Sequence, residues 1–181
     1  MIRRSVASAL VAAALLVPAT VAAAATGSGS GSDARGDVPA YGDVLRLSAT
    51  YKSGGALKAR FSLASYADAA AHRVVAGAYF ATFRGGRCDT RKGALISLET
   101  NTKVAQTGLL PTDGSSPMPA EVSVAGDTVT LSARKPRFAR KRFNCVVVAS
   151  LVATGPTTSK ILDKATIRLK RSRGSSSRAP I

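Results

Sequence analysis

Apolar and polar residues alternate along most of this chain, and this period of two constrains the fold more than any other feature. Helical spacing is nearly absent between Val44 and Leu169. In the segments 45–51 and 57–63, apolar residues occupy every second position, so each segment places one face on a core and the other in water. Gly54 and Gly55 separate the two segments, which predicts a β-hairpin.

Further strands are predicted at 74–83, 94–100, 144–153 and 165–169. Gly126 and Asp127 lie between two short alternating segments, and glycine in the first position suits a two-residue hairpin turn that needs a positive φ. Residues 145–149 are apolar at consecutive positions, which indicates a central strand covered on both faces. Residues 65–73 fit either a short helix or a loop. The sequence therefore predicts an all-β, antiparallel sandwich of about eight strands.

The two ends of the chain differ from the middle in composition. Arg3 and Arg4 precede an apolar stretch and small residues up to Ala25, which predicts a secretory signal peptide over residues 1–25 and an exported protein. An uncut membrane anchor is the alternative. Residues 26–37 are rich in glycine and serine and are predicted to form a flexible linker. The folded domain is then expected over residues 38–169, followed by a disordered basic tail over residues 170–181.

Cys88 and Cys145 are the two cysteines of the chain. Export places them where a disulfide persists, so they are predicted to form one. A redox-active pair is the alternative, but the Cys-x-x-Cys spacing typical of such pairs is absent.

Basic residues dominate the charge, with 26 Lys and Arg against 10 Asp and Glu and a formal net charge of +16. One cluster lies between two predicted strands, around Pro136, and a second lies next to Cys88. A disulfide to Cys145 would bring the two clusters together into a patch that attracts anionic polymers, more weakly as salt increases. The predicted patch consists of Arg134, Lys135, Arg137, Arg140, Lys141, Arg142, Arg87, Arg91 and Lys92. The alternative is a basic surface that serves only solubility.

Residues suited to catalysis are few and scattered. Ser65, Asp68 and His72 form a local set, but the nucleophile turn that a catalytic triad needs is absent. A two-carboxylate hydrolase would draw on Asp43, Asp89, Glu99 or Asp163, and no spacing brings two of them together. No catalytic activity, metal or cofactor is therefore expected.

The predicted partners are anionic cell-envelope polymers or lipid headgroups. Specific nucleic-acid readout is not expected, because the chain lacks a recognition helix and an aromatic nucleic-acid-binding motif. A small-ligand pocket beside the loop 109–119 is the alternative hypothesis.

Three stretches carry a resemblance to a known class of fold: GDVLRLSATY, AEVSVAGDTVTLSARKPRF and FNCVVVASLVATG. Their layout resembles exported bacterial β-sandwich modules of the DOMON and CBM9-like type, and FNC is similar to the immunoglobulin pattern before a late cysteine. The resemblance implies a sandwich that binds sugars or haem. The chain has no Trp for sugar stacking, and neither Met118 nor His72 is placed as a haem ligand.

Overall fold

The computed structural model describes residues 26–110, 117–139, 141–154 and 158–172. In chain order the strands are β1 (Thr26–Ser32), β2 (Val44–Lys52), β3 (Ala56–Leu63), β4 (Val75–Arg84), β5 (Arg87–Glu99), β6 (Val104–Leu110), β7 (Met118–Pro119), β8 (Glu121–Ala125), β9 (Thr128–Arg134), β10 (Cys145–Ala153), β11 (Ser159–Arg168) and β12 (Lys170–Ser172). The helices are α1 (Tyr66–Ala71) and α2 (Pro136–Ala139). The predicted signal peptide lies outside the described residues.

The strands form two antiparallel sheets of six strands each. Sheet A has the order β12-β1-β2-β3-β9-β8, and sheet B has the order β11-β10-β4-β5-β6-β7. The predicted all-β antiparallel sandwich is thereby confirmed. Twelve strands occur in the described residues, against the eight expected, because β1, β6 and the short edge strands β7 and β12 were not predicted.

The core lies between the sheets and is built from the apolar halves of the alternating strands. Leu47 and Phe61 are paired neighbours on β2 and β3, and both are buried. From sheet B, Phe80 and Val146 are fully buried on the facing side. Burial of these side chains supplies the main stabilising free energy of the sandwich.

Two local predictions are confirmed by the pairing of the strands. β8 and β9 form a hairpin around Gly126, whose φ of 56° is the positive value that the turn requires. β10 lies between β4 and β11, and side chains on both of its faces are buried, as predicted for a central strand.

The segment 65–73, which was predicted to be either a short helix or a loop, contains the helix α1. Ser65 caps this helix by accepting a hydrogen bond from the backbone N–H of Asp68 at 3.2 Å. The helix has six residues, and no helix among the described residues is long and apolar enough to cross a membrane.

The prediction of a flexible linker is wrong for Thr26–Ser32, because these residues form β1 between β2 and β12. The alternation of glycine with serine has a structural cause. Gly29 and Gly31 face the end of β11, where a Cβ at residue 29 would overlap the carbonyl oxygen of Arg168 and one at residue 31 would overlap the Ile167 side chain. The domain thus begins before the expected Val38, and it also includes β12, which was assigned to the basic tail. Residues 173–181 of that tail lie outside the described residues.

The predicted disulfide is confirmed. It joins Cys88 of β5 to Cys145 of β10 with a Cα–Cα distance of 6.1 Å, across the end of β4 that lies between these two strands.

Candidate functional site

The antiparallel pairing brings many basic residues to one end of the sandwich, which we call the basic end. In sheet A the register aligns Thr26 with Lys52, and Ala56 with Arg134. In sheet B it aligns Cys145 with Arg168. The described cations at the basic end are Lys52, Arg84, Arg87, Arg91, Lys92, Arg134, Lys135, Lys141, Arg142, Arg168, Lys170 and Arg171.

The opposite end of the sandwich carries most of the carboxylates. Seven of the ten acidic residues of the chain lie in its turns or close to them: Asp33, Asp37, Asp43, Asp68, Glu99, Asp127 and Asp163. The charge of the molecule is therefore polarised along the strand direction, and the electrostatic field is strongest and positive around the basic end.

The segment between β9 and β10 closes the basic end and is fixed to the core. Phe138 and Phe143 are buried. The Tyr51 hydroxyl donates to the carbonyl oxygens of Phe138, at 3.2 Å, and of Lys141. Burial raises the pKa of this hydroxyl, and the positive charge of Arg171 opposes part of that rise. The two phenylalanines thus hold the basic segment in place.

The end of this segment is joined to β4. The Asn144 backbone N–H donates to the Ala81 carbonyl at 3.1 Å, and its side-chain oxygen accepts from the Phe83 N–H at 2.6 Å. The Thr82 hydroxyl donates to the Arg142 carbonyl at 3.4 Å. These bonds and the disulfide hold Arg142 next to the β4–β5 hairpin that carries Arg84 and Arg87.

Arg168 belongs to the basic end and was not predicted. Its guanidinium lies 3.6 Å from the ring centroid of Phe83, within range of a cation–π interaction. The alternation of β11 indicates that Arg168 faces outward. Its contact with Phe83 could not be predicted, because the two residues are 85 positions apart and no sequence pattern links them.

Arg91 is paired with a carboxylate. Its Nε lies 3.1 Å from Oδ1 of Asp89, and its side chain is 80% exposed. The side-chain hydrogen bond from Arg91 lowers the pKa of Asp89, and the charges of Arg91 and Lys92 act in the same direction. Asp89 thus offsets part of the positive charge that Arg91 and Lys92 bring to the basic end.

Two other predicted patch residues, Arg137 and Arg134, differ in exposure and in the surface on which they lie. Arg137 is half-buried, with Nη2 at 3.5 Å from the Met118 sulfur and the guanidinium at 5.9 Å from the Phe138 ring. Arg134 is exposed at the end of β9 and points to the outer side of sheet A. Arg140 lies outside the described residues.

The set of Ser65, Asp68 and His72 serves the helix α1. Ser65 caps it, and His72 Nδ1 lies 2.9 Å from the backbone carbonyl of Asp68 rather than from its carboxylate. The His72 ring stacks on Tyr41 with centroids 4.2 Å apart. These contacts give each residue a structural partner.

Two of the candidate carboxylates are buried near the start of β2. Asp163 accepts from the backbone N–H groups of Val44, at 2.8 Å, and Lys164, at 2.6 Å. Asp43 accepts from the N–H of Gly36 at 2.8 Å. In the part of the chain that the structure describes, no three His, Cys, Asp or Glu side chains form a group that could hold a metal ion.

No protein-family model, curated protein or solved structure matches this chain. The resemblance to DOMON and CBM9-like modules remains a prediction.

Proposed function

We propose that this chain is an exported, non-catalytic β-sandwich protein that associates with anionic polymers of the cell envelope through its basic end. The observation that carries the proposal is the convergence of cations from both sheets at one end, with most carboxylates at the other. Export is inferred from the predicted signal peptide, and a disulfide fits an oxidising compartment.

The basic end binds through charge and through the geometry of arginine. Arg84, Arg87 and Arg142 are exposed on segments that the disulfide holds together, and their guanidinium forks suit two-point contacts with phosphate, sulfate or carboxylate groups. The stacked Arg168 adds a guanidinium whose position is fixed by the Phe83 ring. The carboxylates at the far end are repelled by the same polymer, so the molecule approaches it with the basic end first.

The test compares two variants that remove the same charge. The end variant carries Arg84→Gln, Arg87→Gln, Lys141→Gln and Arg142→Gln, and the distal variant carries Arg73→Gln, Lys103→Gln, Lys160→Gln and Lys164→Gln. All eight residues are exposed. Binding of inorganic polyphosphate is measured across a salt series, with the unfolding midpoint in urea as the check on folding.

The end variant is expected to bind more weakly, and the slope of log K against log salt is expected to fall by about 3, since each engaged cation contributes roughly 0.7. The distal variant should keep the wild-type slope. Equal losses in the two variants would show that only net charge matters and would contradict the proposal.

A further inference from the structure

The outer face of sheet A is a regular grid of hydroxyl and basic side chains. Because β1, β2, β3, β9 and β8 are paired in register, residues of equal parity form rows across the sheet. The three rows are Ser28, Thr50, Lys58, Ser132 and Glu121; Ser30, Ser48, Arg60, Thr130 and Ser123; and Ser32, Arg46, Ser62, Thr128 and Ala125. Apart from Ala125, every position in the grid is polar, as expected for a solvated sheet face.

The basic residues of this face continue from the basic end. Lys52 and Arg134 face outward on either side of Ala56, and Lys58, Arg60 and Arg46 follow at successive rows away from them. From Lys52 to Arg46 the line of cations spans six residues of strand, or about 20 Å. We call these five residues the basic track.

Three residues of the track, Arg46, Lys58 and Arg60, line a depression in the sheet face. Two adjoining grooves of about 750 and 440 Å³ share Ser30, Ser48 and Arg60 in their walls. Arg46 lies in the wall of the larger groove and Lys58 in that of the smaller one. The grooves thus connect Arg46, in the row farthest from the basic end, through Arg60 to Lys58, in the row of the grid nearest to it.

The cations of the track have no carboxylate partners among the described residues. The ion pair found among the described residues joins Arg91 to Asp89 on β5, outside the track. Glu121 is the acidic residue within the grid, and its Oε2 accepts a hydrogen bond from Ser132 at 2.9 Å. Asp127 lies in the wall of the larger groove at the end away from the basic end.

From this arrangement we infer that the partner is a linear polyanion, which binds at the basic end and continues along the basic track. The inference rests on the proposed function and narrows its ligand class. A flat membrane surface contacts either the end or the face of the sandwich, because the two are nearly perpendicular. A flexible chain can turn from one to the other and engage both, which raises its affinity through a high effective concentration.

The test uses inorganic polyphosphate in short chains, which occupy the basic end alone, and in long chains, which reach the track. The track variant carries Arg46→Gln, Lys58→Gln and Arg60→Gln. Its matched control carries Lys103→Gln, Lys160→Gln and Lys164→Gln. All six residues are exposed, and the urea midpoint verifies folding.

The track variant should bind long chains about tenfold or more weakly, with the salt slope reduced by about 2, and short chains as the wild type does. The control should bind both lengths as the wild type does. A second variant, Ser30→Asp with Ser48→Asp, should weaken long-chain binding in the same way, since it adds negative charge to the groove without removing a cation.

Wild-type affinity for long chains in the track variant would overturn the inference and leave the proposed function standing. The proposed function itself would be contradicted by a different result, namely that the end variant binds short chains with wild-type affinity. Vesicles of phosphatidylglycerol that bind tightly, with no polyphosphate binding, would assign the basic end to lipid headgroups and would also overturn the inference.

Discussion

Gly29 shows how a single residue decides between linker and strand. Serine at positions 28 and 30 faces solvent, whereas Gly29 faces the backbone of β11. Any side chain at position 29 would have to displace that backbone, so the alternation of glycine and serine records a close approach of two strands and not flexibility.

We expect Gly29→Ala to lower the free energy of unfolding by about 1–3 kcal/mol through overpacking. Ser30→Ala, the neighbouring control, faces solvent and should change it by less than about 0.5 kcal/mol. Urea unfolding of the three proteins measures both values. Equal midpoints for Gly29→Ala and the wild type would mean that β1 does not pack beneath β11.

Asp163 links stability to pH. Burial raises its pKa above the ordinary value of 3.8, and the nearby Asp33 and Asp37 act in the same direction, against the lowering by hydrogen bonds from the Val44 and Lys164 N–H groups. The folded protein therefore holds this proton more tightly than the unfolded chain does. The protonation of Asp163 therefore stabilises the fold most below pH 3.8, and this stabilisation is lost as the pH rises through the raised folded pKa.

Asp163→Asn removes this titration. The stability of the wild type, measured relative to that of the variant by urea unfolding at a series of pH values, should decrease as the pH rises from 3.8 through the folded pKa. The variant has one carbonyl acceptor for two N–H donors, so it should also carry a pH-independent loss of about 1–3 kcal/mol. A stability difference that stays constant, or changes in the opposite direction, would contradict the raised pKa.

At the scale of the elements, the disulfide links β5 to β10 on either side of β4 and closes a loop of 57 residues. Replacing both cysteines, by Cys88→Ala and Cys145→Ala, is expected to lower the free energy of unfolding by about 4 kcal/mol, because the unfolded chain regains the entropy of that loop. The same loss should follow reduction of the wild type. Unfolding midpoints that are insensitive to both changes would contradict this role.

The strands whose two faces differ in polarity could be predicted from the sequence. The alternation in β2 and β3, the glycine of the β8–β9 turn and the apolar run of β10 all indicated their structure correctly. β1 was missed because its inward positions are glycine, which has no side chain to produce an apolar period. β5 was predicted to begin at residue 94, but it begins at Arg87 because the tight turn at Gly85 and Gly86 extends a polar hairpin beyond the core.

Only the part of the candidate site that is contiguous in sequence could be predicted. Clusters of cations are visible along the chain, and the two cysteines correctly indicated that Arg87 and Arg142 lie on linked segments. Arg168 and four cations of the basic track, Lys52, Lys58, Arg60 and Arg46, were missed. They are distant in sequence from the predicted clusters, and only the register of the paired strands brings them together. Arg137 was assigned to the surface by its charge, but it packs against Met118 and Phe138.

At the scale of the whole molecule, the sandwich has a positive end and an end that carries most of the carboxylates. This polarity follows from the antiparallel topology, because the described hairpin turns lie at one end or the other and most of the carboxylates lie at the end opposite the basic end. Such a charge distribution orients the molecule in the field of an anionic surface before contact is made.

The most direct test of the central claim is cosedimentation of the purified domain with cell envelopes, over a salt series, for the wild type, the end variant and the distal variant. We predict that the wild type and the distal variant sediment at low salt and are released as the salt increases, whereas the end variant stays in the supernatant. Equal sedimentation of all three proteins, or wild-type binding that is unaffected by salt, would contradict the claim that the basic end binds anionic polymers.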